Sequence, residues 1–351
     1  GKERTGMAAN SKQPKRESRA QRRQEEQARV QAKRERLQKE RRTQTIIGIV
    51  VTVVLIALIA IAGIAVYRNT HPSAARQQEA ANEQSAAQAT LKDSKVKPAK
   101  ASELGGLLMS KNGYNKPVEG VPTVGIYMDF MCPGCGNLNR NLDQDLVKMM
   151  DAGQINIDLH IMSFMDRYSW INGDSNNVDD YSSRTANAAI YVAEHDDDPN
   201  HLLNFITNLY AKDFQPEEGS GYKQVTDDQI KVRMDGTGIS KDVQGKAMQR
   251  GYDKWLDAVN TYTPTRSELF NRSGQLKGSM STPTMTINGY YWDMNSSEVT
   301  SHKTLAEAFL EAIGLAQNKV GDAEVRPSIG ATGKPLIGYA DDNAGAATNS
   351  Q

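Results

Sequence analysis

Apolar positions along the chain fall into three regimes. From Gly1 to Arg42 there are few, chiefly some Ala, Val30 and Leu37 among Arg, Lys, Gln and Glu. Glu–Arg pairs at i,i+4 spacing support some helix there, but no apolar face exists to pack. From Ile46 to Tyr67 the pattern inverts: 22 residues follow in which Thr52 is the one clearly polar side chain. That length matches the roughly 20 residues needed to cross a hydrocarbon core as a helix. Ala60-Ile61-Ala62 resembles a signal-peptide cleavage site, but secretory apolar cores run to roughly 7–15 residues, so an uncleaved anchor is the better reading.

The third regime, about 104–317, carries the periodicities of a folded domain. Val121 to Phe130 reads as a buried strand, and Asn137 to Met150 repeats Leu138, Leu142, Leu146, Met149 and Met150 at helical spacing. Gly153 marks the helix end. Ile155 to Ser163 alternates apolar and polar, which predicts a second strand. Strand, helix and strand in that order make a βαβ unit with a parallel pair. Helices are then expected over 182–195, 201–210, 226–236 and 242–261. Thr282 to Asn288 returns to strand, Asn288-Gly289 is a hairpin turn signal, and Tyr290 to Trp292 is its partner. An amphipathic helix over 303–315 ends near Gly314. The intervals 68–103 and 318–351 lack periodicity and read as a stalk and a flexible tail.

Charge adds direction to this plan. The chain of 351 residues is neutral overall, yet Gly1 to Arg42 holds 15 basic against 6 acidic residues, and Arg68 to Gln351 is left with 27 against 36. Thr43 to Tyr67 has no charge at all. Basic residues before the apolar stretch put segment 1–45 in the cytoplasm and the body outside, by the positive-inside rule. The basic head reads as a solvated orientation signal rather than an element that contacts anionic lipid. The expected location is a cell membrane, with a single pass and an extracytoplasmic body in the cell envelope. Disulfides persist in such compartments.

The chain's only two cysteines stand together in Cys132-Pro133-Gly134-Cys135, between the first strand and the helix. A helix N-terminus stabilises a thiolate. Cys132, at the start, is therefore the expected nucleophile, and Cys135, one turn inside, the resolving thiol. Pro133 loses no needed hydrogen bond in a first turn, and Gly134 adds no charge or donor. A structural zinc site needs four ligands; there is no third cysteine, and the five histidines (71, 160, 195, 201 and 302) show no metal spacing near the pair. A c-type haem would require His where Gly136 stands. A two-residue loop makes a poor staple and a labile redox bond. The second landmark is Ser281-Thr282-Pro283-Thr284, where Pro opens a strand and the X-Pro bond has access to the cis form.

With Asp129-Phe130-Met131-Cys132-Pro133-Gly134-Cys135 and Thr282-Pro283-Thr284 in this order, about 104–317 resembles the DsbA-like thiol–disulfide oxidoreductases of the thioredoxin superfamily. The resemblance is nearest to the membrane-anchored type of Gram-positive actinobacteria. It implies an α/β thioredoxin fold with a helical insertion over about 180–270, preceded by a single transmembrane helix. It places the family's cis-proline on Pro283, opposite the cysteines, and gives the Thr282 backbone to the substrate chain. It implies oxidation of thiols in exported proteins. Re-oxidation would come from a membrane enzyme of the DsbB or vitamin K epoxide reductase type. No cofactor beyond the Cys132–Cys135 disulfide, no metal and no nucleic acid is called for, and the catalytic domain is expected to be monomeric. The alternatives are a reductase or isomerase using the same pair, and a non-catalytic thioredoxin-fold binding module. Two positions depart from the pattern: Gly134 where DsbA-type proteins often have His, and Ile126 where thioredoxin-type relatives often bury an acid. Asp129 stands in a different register from that acid. Both departures predict a less strongly activated pair.

Overall fold

The computed structural model describes residues 74–339. The segment 1–45, the apolar stretch 46–67, the start of the stalk and the tail beyond 339 lie outside the described residues. Among the described residues no helix is long and apolar enough to cross a membrane.

The first described element is helix α1 (Ala74–Lys92). A hairpin of β1 (Gly106–Ser110) and β2 (Gly113–Tyr114) follows, then β3 (Thr123–Asp129), α2 (Pro133–Asp151) and β4 (Asn156–Met162). Five helices come next: α3 (Tyr181–His195), α4 (Pro199–Leu209), α5 (Asp227–Val232), α6 (Lys241–Lys246) and α7 (Asp253–Tyr262). Strands β5 (Thr284–Ile287) and β6 (Tyr290–Trp292) and helices α8 (Ser297–Thr300) and α9 (Leu305–Ile313) complete the domain. The strands form one sheet in the order β2-β1-β4-β3-β5-β6. Only β3 and β4 run parallel, joined through α2 as the βαβ pattern requires. This is a mixed α/β thioredoxin-like fold with a helical insertion between β4 and β5.

Strand β4 differs from its alternating pattern. Asn156 and His160 are buried together with the apolar positions, because β1 and β3 flank the strand on both edges. Local bonds compensate the burial of Asn156, and that of His160 at its Nε2 but not its Nδ1. Asn156 accepts the Val118 N–H at 2.8 Å and donates to the Val118 carbonyl at 3.1 Å, while His160 pairs with Asp158 at 3.0 Å. The hairpin β1–β2 has too short a pattern to be read from the sequence.

The insert begins directly after β4, with a 3-10 turn over Phe164–Tyr168. Helix α4 starts two residues earlier than its periodicity suggests, because Asp198 caps it and Pro199 fills its first turn. The helix expected over 242–261 is broken into α6 and α7 around Gly251, whose N–H turns back to the Gln249 carbonyl at 2.7 Å. Thr226 and Gln229 form a reciprocal capping box on the short α5.

Two segments read as flexible are packed on the body. From residue 74 the stalk is helix α1, which lies along α7 and buries Ala87 and Leu91. Gln88 donates to the Tyr262 hydroxyl at 3.1 Å, and Glu194 accepts the N–H groups of Ala99 and Lys100, both at 2.7 Å. Two apolar residues four apart suffice for this contact, too sparse a stripe to stand out from a polar background. Beyond α9, residues 317–339 wrap the domain. Gln154 Nε2 donates to the carbonyls of Lys319, Asp322 and Val325, at 2.8, 3.0 and 2.8 Å, and Asn288 donates to those of Gly330 and Gly333. The strap is held by side-chain amides more than a hundred residues away in sequence, or in Asn288's case some forty, so it needs no periodicity of its own.

Candidate functional site

Strand β3 delivers the chain to the site. Its last residue, Asp129, turns the backbone so that its carbonyl accepts the Cys132 N–H at 3.1 Å. Helix α2 then starts at Pro133 rather than at Asn137, because Cys132 itself is the N-cap: its Sγ accepts the Cys135 N–H at 3.4 Å. Sulfur thus stands where Ser or Asp would satisfy an orphan donor. Both cysteines are unpaired thiols and both are buried.

The fold brings the two sequence landmarks together. Strand β5 lies beside β3, and the Thr282–Pro283 bond preceding it is cis. The Cys132 thiol donates to the Thr282 carbonyl at 3.2 Å. Gly134 faces the Pro283 ring: a Cβ there would stand 2.9 Å from Pro283 Cδ. The glycine between the cysteines is therefore a matter of close approach as well as of chemistry. Pro133 is exposed at the helix start, and Thr282 and Pro283 are half-buried.

The two thiols are driven apart electrostatically. A hydrogen bond with the Cys135 thiol pulls Cys132 below the usual thiol value; burial opposes this, and bonds from Thr282 and the Cys135 N–H assist. Burial pushes Cys135 well above that value, with the neighbouring Cys132 adding to the effect. One sulfur is prepared to carry charge and the other to stay protonated.

Residues not singled out as part of the site complete it. Asp129 is fully buried, and its carboxylate accepts the Met131 N–H at 3.0 Å, the Met165 N–H at 3.1 Å and the Ser182 hydroxyl at 2.6 Å. Burial nevertheless lifts it to about 7. Its backbone carbonyl also accepts the Tyr210 hydroxyl at 2.9 Å. From the loop after α4, Gln215 donates to the carbonyls of Phe130 at 3.2 Å and Cys132 at 2.9 Å. Arg140 supports that loop by donating to the Tyr210 carbonyl at 2.5 Å. Ile126 faces a narrow cavity of about 30 Å³ behind Cys135, with Asp143 of α2 on another wall. Asp143 is half-buried, accepts the Thr207 hydroxyl at 2.9 Å, and is lifted to about 6 by burial. An acidic residue just before a cysteine pair was visible in the sequence; its partners at 165 and 182 were not, since they come from the insert.

The thioredoxin family model matches residues 119–307, more than half of the chain. The serine/threonine-protein kinase PknE of Mycobacterium tuberculosis is 29% identical over 98 residues, which are 28% of this chain and 16% of that protein. The chain thus matches less than a fifth of that relative's length. Among solved structures, the reduced disulfide bond oxidoreductase DsbG of Mycobacterium tuberculosis is similar with 22% identity and a TM-score of 0.41, over 60% of this chain and 88% of that one. Oxidised Mtb DsbA has 21% identity and a TM-score of 0.44, over 62% and 97%. The thiol–disulfide oxidoreductase MdbA of Actinomyces oris has 15% identity and a TM-score of 0.43, over 61% and 86%.

Proposed function

The chain belongs to the thioredoxin family, and from that premise we propose that it is an extracytoplasmic thiol–disulfide oxidoreductase that introduces disulfides into exported proteins. The observation that carries the reading is the asymmetry of the pair. Cys132, at a helix start and against Thr282, has its thiol drawn down, while Cys135 is pushed up.

In the oxidised protein a substrate thiolate attacks Cys132 Sγ. The Cys132–Cys135 bond breaks, and Cys135 leaves with the electron pair and takes a proton. The mixed disulfide between Cys132 and substrate is then attacked by a second substrate thiolate. A substrate disulfide is released, and two electrons remain on the cysteine pair. With no third cysteine in the chain, a partner must remove those electrons, and a quinone-linked membrane enzyme of the DsbB or vitamin K epoxide reductase type suits that chemistry. The apolar stretch 46–67 would anchor the domain beside such a partner, with segment 1–45 on the cytoplasmic side.

Gly134 provides no imidazole to hold the Cys132 thiolate, so the pair is expected to be less oxidising than the roughly −120 mV of the most oxidising relatives. The decisive experiment is Cys135→Ala trapping in cells. Mixed disulfides between Cys132 and exported proteins are expected to accumulate, and Cys132→Ser is expected to remove them. If Cys135→Ala yields none, the reading fails. A pair found mostly as dithiol in cells would instead favour the reductase direction.

A further inference from the structure

Gln215 does more than hold the main chain beside Cys132. It also lines a concave basin of about 800 Å³ formed by the loop 212–225 and α5. We propose that this basin is a second polypeptide-binding surface, holding an extended stretch of the substrate on the side of Cys132 away from Pro283. The inference rests on the oxidoreductase reading above and names where its substrate chain lies.

Three observations support it. First, the basin adjoins the backbone that carries the reactive sulfur: Gln215, on its wall, donates to the Cys132 carbonyl at 2.9 Å. The hollow on the other side of the pair, bounded by Gly134, Thr282 and Pro283, does not share a residue with it. A chain joined to Cys132 thus has two separate hollows beside it, one reached through Gln215 and one through Thr282 and Pro283. Second, the basin exposes apolar surface. Val232 is 59% exposed, one of the few large apolar side chains left in water among the described residues. Beside it Phe214 is half-buried, with the Arg233 guanidinium 4.0 Å above its ring. An exposed apolar group in a concave site marks binding more strongly than one on a convex face.

Third, the walls are braced in advance. Tyr222 donates to Asp179 at 2.5 Å, Arg184 donates to the Val225 carbonyl at 2.8 Å, and Asn208 donates to the Arg233 carbonyl at 2.8 Å. A preformed site avoids the ordering cost of binding. The rim charges are mixed: Lys212, Lys223 and Arg233 stand among Asp213, Glu217 and Asp228. With no single sign of field to select by, the occupant is chosen by apolar side chains and extended backbone, as suits an enzyme meeting many unfolded chains.

The test uses the purified oxidised protein and three reductants: dithiothreitol, and two neutral Val- and Leu-rich dithiol peptides extended on only one side of their cysteines, N-terminal or C-terminal. Val232→Asp is expected to raise KM about tenfold for one of the two peptides, with kcat unchanged, as the loss of about 1.4 kcal/mol of apolar contact would. Dithiothreitol should react with the variant as with the wild type. KM values unchanged from the wild type for both peptides overturn the proposal, and so does an equal loss of rate with dithiothreitol, because the effect then lies at the cysteines and not in a peptide contact. Binding of fluorescein-labelled Ser-for-Cys versions of the peptides is measured in parallel. If the wild-type protein oxidises nothing, the functional reading fails, and the basin still stands or falls on whether Val232→Asp weakens binding of one labelled peptide. Phe214→Leu, which keeps apolar volume, should weaken the same peptide less.

Discussion

The two sides of the cysteine pair hold it by different means. On the sheet side Thr282 and Pro283 approach the sulfur itself: the Cys132 thiol donates to the Thr282 carbonyl at 3.2 Å, and Pro283 leaves no room for a side chain at position 134. On the insert side, among the described residues, no recorded hydrogen bond reaches a thiol. Gln215, Tyr210, Ser182 and the Met165 N–H bind instead the backbone and the carboxylate of Asp129 and the carbonyls that follow it. The sheet side therefore acts on sulfur chemistry and the insert side on the path of the chain carrying the sulfur. Thiol reactivity and site stability should then be separable by mutation.

The largest expected effect lies at the point where the two sides meet. Asp129 titrates at about 7 in the folded protein, against roughly 3.9 when unfolded. A raised folded value means that the native state holds the extra proton. The stabilisation is full below about pH 4 and is lost as pH rises through about 7. Asp129→Asn should remove that dependence: in urea denaturation the variant should gain about 3 kcal/mol on the wild type between about pH 5 and pH 8, because the wild type loses stability over that range and the amide does not titrate. A pH-independent gap would remove the titration from the account.

Next is the contact that only the sheet side makes. Gly134→Ala forces a Cβ against Pro283, and overpacking of this kind costs about 1–3 kcal/mol. The variant should lose about tenfold in disulfide exchange rate and show a lower Tm; full activity would mean that the two loops separate freely. On the insert side, Gln215→Ala takes the side-chain donor from the Phe130 carbonyl and one of three donors from the Cys132 carbonyl, which keeps the N–H groups of Cys135 and Gly136, a cost of about 1–2 kcal/mol. It should lower Tm while leaving the pH profile of Cys132 alkylation by iodoacetamide in place. A shifted profile would show that the insert also tunes the sulfur. The smallest effect is expected from Thr282→Val, which removes a hydroxyl that helps draw Cys132 down. Its alkylation profile should move upward, by less than about one pH unit, with Tm nearly unchanged.

Legibility followed the range of the interactions. The βαβ unit and the hairpin at Asn288-Gly289 were readable because each is written in a contiguous period and a turn dipeptide. Cys132 and Cys135 were readable from their spacing alone. Asp129 stood in plain sight, but its weight comes from Met165 and Ser182, and no local pattern links these positions. The same holds for Gln154, whose amide satisfies three carbonyls of a segment with no periodicity of its own. Helix α1 escaped for a related reason, since two buried residues four apart do not make a visible stripe.

The sequence by itself determined the cysteine pair, the strand and helix that flank it, and the return strand bearing Thr282-Pro283, because hydrophobic periodicity and residue chemistry are local properties. Only the tertiary structure decided which sulfur is drawn down, why position 134 is glycine, and how the insert grips the loop. Those depend on burial and on hydrogen bonds between residues as many as 150 positions apart, and such distances close only when the chain is folded.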